Sequence, residues 1–147
     1  MKQKDFLKQL DHQAIFDAIR RAEKHTSGEI RVHVEPRLWG RDPMDVARRT
    51  FERLGMTKTA LRNGVLLFVA AHEQKFAILG DQGIDDKVGY DFWEDVAAHM
   101  TEKFRTGDFT AGIVEAVERS GEKLSAFFPF ERGDTNELSN DISIGEH

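Results

Sequence analysis

The chain has no cysteine, only three prolines and a single tyrosine among its 147 residues. Without cysteine there is no disulfide, no thiolate zinc ligand, no iron–sulfur ligation and no cysteine nucleophile. The absence fits a reducing compartment. Long hydrophobic runs are missing too. The longest apolar stretch, Val65 to Ala71, falls far short of the roughly 20 residues that span a bilayer. The opening Met1-Lys-Gln-Lys-Asp-Phe-Leu-Lys8 lacks the apolar core of a signal peptide. The expectation is a soluble cytoplasmic protein with no direct membrane insertion. An excess of positive charge is also absent. Lys and Arg number 21 against 26 Asp and Glu, a formal net charge of −5, so no nucleic-acid partner is expected. No His-Glu-x-x-His zinc motif, Gly-x-Ser-x-Gly elbow or Gly-Lys-Ser/Thr phosphate loop occurs.

What is present reads as one domain with alternating helix and strand patterns. Ile15, Ala18, Ile19 and Ala22 place an apolar stripe on a helix from about Asp11 to His25. Glu29 to Glu35 alternates strictly as a half-exposed strand: Ile30, Val32 and Val34 point one way and Glu29, Arg31, His33 and Glu35 the other, with His33, Arg31 and Glu35 expected to form a salt-linked, solvated face. Asp42-Pro43 opens a second helix, and Gly55 stops it. Val65 to Ala71 is apolar on both faces and therefore central. The short turn His72-Glu73-Gln74 implies an antiparallel hairpin to Lys75–Leu79. Gln82 to Tyr90 reads as a Gly- and Asp-rich loop. Two helices follow, about Asp91 to Arg105 and Thr110 to Phe128, the second ended by Pro129. Its inward stripe is Ile113, Ala116, Val117, Leu124 and Phe127. The expected fold is a three-layer α/β sandwich with a small mixed sheet, helices on both faces and the order α-β-α-β-β-α-α. Residues 1–129 form the domain and 130–147 a polar, acidic tail, docked in part through Leu138, Ile142 and Ile144. Trp93 fits a core stripe; Trp39, in a loop with Arg37, Gly40 and Arg41, is a second core candidate whose alternative is an exposed contact surface.

This order brings chemistry to one place. If the first two strands are parallel and the third antiparallel, three polar segments meet at one sheet edge: Ser27-Gly28-Glu29, Arg62-Asn63-Gly64 and Gly80-Asp81-Gln82-Gly83, with Asp85 and Asp86. Asp81, Asp85, Asp86, Asn63 and Glu29 make an oxygen-rich set of the kind that hard cations such as Ca²⁺ or Mg²⁺ take. Turn-making is the competing role for the same Asp residues. Arg62 and Lys87 are the local cations able to neutralise the cluster.

Those same segments resemble the TPM domain family. The similarity rests on Ser27-Gly-Glu-Ile-Arg-Val32, Arg62-Asn-Gly-Val-Leu-Leu-Phe68 and Phe76-Ala-Ile-Leu-Gly-Asp-Gln-Gly83. Asp91-Phe-Trp93, the segments 100–107 and 121–129, and the tail around Asn136-Glu-Leu-Ser139 and Asp141-Ile-Ser143 resemble a cytoplasmic bacterial branch without membrane anchors. The family includes phosphatases of the thylakoid lumen and of photosystem repair. The resemblance implies a compact α/β sandwich, acid phosphatase activity in some members and divalent-cation binding in others. Carried over, Asp81 is the direct metal candidate, with Asp85 and Asp86 by position. Asn63 and Glu29 match motif positions. Two functions follow as expectations. One is a divalent-cation-dependent acid phosphatase, for which no nucleophile or general acid is legible. The other is a non-catalytic module that binds a protein partner and whose acidic loop takes Ca²⁺ or Mg²⁺ weakly.

Overall fold

A computed structural model describes residues 8–130 and 143–144 of the chain. Each helix begins where local chemistry lets it. Asp11 accepts the Ala14 amide at 3.0 Å to cap α1 (His12–Glu23). Asp42 accepts the Asp45 amide at 3.2 Å to cap α2 (Pro43–Arg53), with Pro43 at its first position. A 3₁₀ turn (Met56–Lys58) follows Gly55, whose φ of +73° suits a residue without a Cβ. Two later helices, α4 (Tyr90–Arg105) and α5 (Phe109–Phe127), pack on one another as a hairpin.

The strands are β1 (Glu29–Glu35), β2 (Gly64–Ala70), β3 (Lys75–Gly80) and β4 (Ser143–Ile144), in the spatial order β3-β2-β1-β4. β1 and β2 run parallel in a register from Glu29 opposite Gly64 to Glu35 opposite Ala70. β2 and β3 form the expected antiparallel hairpin. Ile30, Val32, Val34, Val65, Leu67, Val69 and Ile78 share a core with α1, α4 and α5 on one face. On the other, Leu66, Phe68, Ala70 and Ala77 pack with Val46, Ala47 and Phe51 of α2. Helices therefore cover both faces of a mixed sheet, as the apolar β2 requires, and β2 is buried along its whole length.

Four expectations are corrected. First, Gln82 to Tyr90 is not a loop: Gln82–Val88 forms a further helix, α3, whose Ile84 is fully buried. Seven residues show only an Ile84/Val88 pair of apolar positions, too little period to be visible in sequence. Second, the polar face of β1 is not solvated. Glu29, His33 and Glu35 are 2%, 1% and 7% exposed, and only Arg31 is half-buried. Third, Phe127 lies outward at the end of α5, while Leu124 is in the core. Trp39 is likewise exposed rather than in the core.

Past α5 the chain turns back. Thr26 bridges to Pro129, the Ser27 amide donates to the Phe128 carbonyl at 2.9 Å, and the Phe130 amide donates to the His25 carbonyl at 3.2 Å. Leu138 and Ile142 of the tail lie outside the described residues. The two residues of β4 pair in parallel with His33 and Val34 of β1.

Candidate functional site

The three polar segments do converge at the edge where β1 and β2 start. Glu29 lies opposite Gly64, and the Asp81 amide donates to the Gly64 carbonyl at 2.8 Å. The Gly83 amide donates to the Arg62 carbonyl at 2.8 Å, and Asn63 Nδ2 donates to Ser27 Oγ at 3.4 Å. Arg62 sits at φ +53°, a left-handed conformation that holds its carbonyl toward α3. Asn63 and Asp81 are buried, at 2% and 6% exposure.

Asp81 is the best-anchored group at this edge. Arg62 Nε donates to its Oδ2 at 2.6 Å, and Arg62 Nη2 donates to its Oδ1 at 2.9 Å, a bidentate pair. Oδ1 also accepts the Gln82 amide at 2.8 Å, capping α3. The Asp81 carboxylate in turn holds the Arg62 guanidinium above its ordinary pKa. Asp85 and Asp86 are exposed on α3, one turn on, and Asp85 Oδ1 accepts Trp93 Nε1 at 2.9 Å. Lys87 is exposed beside them. Among the described residues no three His, Asp or Glu side chains gather closely enough to hold a metal ion. Asp81→Ala is expected to lower stability by at least about 1 kcal/mol through loss of the α3 cap alone. Asp81→Asn, which keeps an acceptor, should lose less. Urea midpoints of the two variants check this, and equal losses would show that the cap is unimportant.

A second polar constellation lies at the other end of β1, where a salt-linked, solvated face was expected: His33 and Glu35 are linked there, but buried. Parallel register sets Ser143 of β4 opposite His33, and the period of two puts Glu35 on the same face. His33 Nε2 lies 2.9 Å from Glu35 Oε1, and His33 Nδ1 lies 2.9 Å from Ser143 Oγ. The ring stacks on Phe68 at 5.7 Å between centroids. Burial pushes the His33 pKa below its usual value of 6.5. The Glu35 hydrogen bond and charge oppose this, and the Arg53 and Arg31 charges assist it. A neutral ring donating to Glu35 through Nε2–H leaves Nδ1 to accept the Ser143 hydroxyl. One signal for this cluster was in the sequence. A strand paired with a β2 buried on both faces cannot keep its own polar face fully open.

Glu23 was missed as well. At the end of α1 its Oε2 accepts the Ile30 amide at 2.9 Å. Burial first, then the nearby Glu29 charge, raise its pKa from 4.5 to about 7, against the lowering effect of that amide. Its one local sequence signal is an acidic side chain in the last turn of a helix, where the macrodipole disfavours it.

Two clefts lie elsewhere. One, of about 270 Å³ between α1 and α5, is lined by residues including Arg21, His25, Glu118 and Glu122. The other, of about 420 Å³, runs between β3 and α4 past Lys75, Phe76 and Phe104. Neither is lined by Asn63, Asp81 or Asp85. No helix among the described residues is long and apolar enough to cross a membrane.

Comparison with known proteins agrees with this architecture. The family model described as the TPM domain matches residues 1–123. Among solved structures, the BA42 protein of the psychrophilic bacterium Bizionia argentinensis, determined by NMR, is similar at 45% identity. That similarity covers 91% of this chain and 92% of that one, with a TM-score of 0.84. No curated protein matches the chain.

Proposed function

Because this chain belongs to the TPM domain family, we propose that it is a protein-binding module whose contact surface is the exposed side of this loop edge, formed by Leu61, half-buried Arg62, Gln82, Asp85 and Asp86. The observation that carries this reading is the bidentate Arg62–Asp81 pair. It occupies both oxygens of the one buried carboxylate in the acidic loop, so Asp81 acts as an anchor between the β2 start and α3. A hard cation would have to break that pair to use it, and Ca²⁺ wants six to eight oxygens. The ligand set therefore does not fit a resident ion. The exposed Asp85 and Asp86 remain available for weak, loop-tuning association with Ca²⁺ or Mg²⁺. Leu61, the residue before Arg62, is exposed at 54%.

The second reading, a divalent-cation-dependent acid phosphatase, is favoured by the family resemblance and by the exposed carboxylates. One assay separates the two. Hydrolysis of p-nitrophenyl phosphate is expected to be the same with or without Mg²⁺ and Ca²⁺, and the same in Asp81→Ala. Cation-dependent turnover that disappears in Asp81→Ala would establish the phosphatase instead. In an NMR titration, Ca²⁺ should move amides around Asp85 and Asp86 at millimolar concentration. Saturation at micromolar Ca²⁺, with Asn63 and Asp81 shifting, would show a built metal centre.

A further inference from the structure

We propose that the edge of β1 at His33–Val34 is a strand-docking site that selects an extended segment carrying a hydroxyl opposite His33. Its resident occupant is the chain's own C-terminal strand, Ser143–Ile144. This goes beyond the loop-edge reading and uses a different surface. Strand addition to a sheet edge draws affinity from main-chain pairing and specificity from the side chains that meet at alternate positions. Among the described residues, main-chain pairing covers His33 with Ser143 and Val34 with Ile144. Farther along the same strand the Ile30 amide is held by the Glu23 carboxylate instead. To that pairing the side-chain bond from Ser143 to a buried His33 adds the recognition. Glu35 fixes the ring from the other side and thereby selects the nitrogen that meets the hydroxyl.

Charge makes the catch sensitive to acid. The groups acting on His33 are Glu35 and Arg31 of β1, Arg53 of α2 and the Ser143 hydroxyl of β4, with Arg41 Nη2 3.9 Å from the far oxygen of Glu35. Protonation would place a buried cation in the field of Arg31 and Arg53, which Glu35 opposes. Leaving the edge restores water to the ring. Docking should therefore weaken as pH falls below 6.5.

The test uses the full chain. Ser143→Ala should release residues 143–144, read as a fall in their ¹⁵N heteronuclear NOE and faster exchange of the Ile144 amide. Ser143→Thr, which keeps the hydroxyl, should hold them. A synthetic peptide of residues 140–147 should then bind the Ser143→Ala chain and shift the His33–Glu35 amides. The same peptide with alanine at position 143 should bind about fivefold to tenfold more weakly, the loss of one hydrogen bond. The proposal is overturned if residues 143–144 stay equally ordered in Ser143→Ala, or if the two peptides bind alike.

Discussion

Gly83→Ala should cost about 3 kcal/mol of folding stability. A Cβ at this position would lie 2.3 Å from the Leu61 carbonyl oxygen and 2.5 Å from that of Arg62. Both are backbone atoms, so no rotamer change relieves the contact, and the cost falls at the upper end of overpacking substitutions. The Gly83 amide also bonds the Arg62 carbonyl at 2.8 Å, so pushing the two apart breaks that bond. The damage should concentrate where α3 meets the β2 start and carry the Arg62–Asp81 pair with it. Gly40→Ala is the control, because no atom lies within 4 Å of its added Cβ. Its φ of +80° confines the cost to local strain, about 1 kcal/mol. Urea denaturation of both variants decides the matter. Equal losses would mean that the approach of α3 to residues 61–62 does not constrain the fold.

Glu23→Gln should stabilise the protein by about 3 kcal/mol above pH 7 and leave it nearly unchanged near pH 4. The carboxyl of Glu23 has a pKa of about 7 in the folded state against 4.5 ordinarily. Between those values the folded chain holds a proton that the unfolded chain has released. Stability consequently falls as pH rises through this window, and the full penalty of about 3 kcal/mol is present above it. Glutamine carries no charge to desolvate and still offers an oxygen to the Ile30 amide. His33 works in the opposite direction. Its pKa lies below 6.5, so just below pH 6.5 the unfolded chain binds more protons and stability falls on acidification. The two slopes partly cancel in the native protein. In Glu23→Gln the His33 contribution should stand alone, as stability that rises with pH up to about 6.5 and is then flat. A variant whose stability still declines between pH 5 and 7 would show that Glu23 is not the group responsible.

Much of this protein is legible in its residues taken one segment at a time. Period-two and period-3.6 patterns, with Asp11 and Asp42 as caps and Gly55 as a stop, locate α1, β1, α2 and the β2–β3 hairpin within a residue or two. The apolar Val65–Ala71 requires cover on both faces, and chain order then brings residues 27–29, 62–64 and 80–83 to one edge. Those are consequences of local geometry and short connections, which act between residues close in sequence. The rest depends on partners far along the chain. Asp81 is an anchor rather than a free ligand because Arg62, nineteen residues away, meets it with both guanidinium donors. Glu23 titrates high because the β1 start and Glu29 close over it. His33 leaves solvent because β2 sets Phe68 beside it and Ser143, 110 residues on, returns to its strand. Alternation states which side chains share a face of β1. Whether that face is wet is settled by what packs on it, because desolvation acts through neighbours in space, and those neighbours are brought together only by the folded chain.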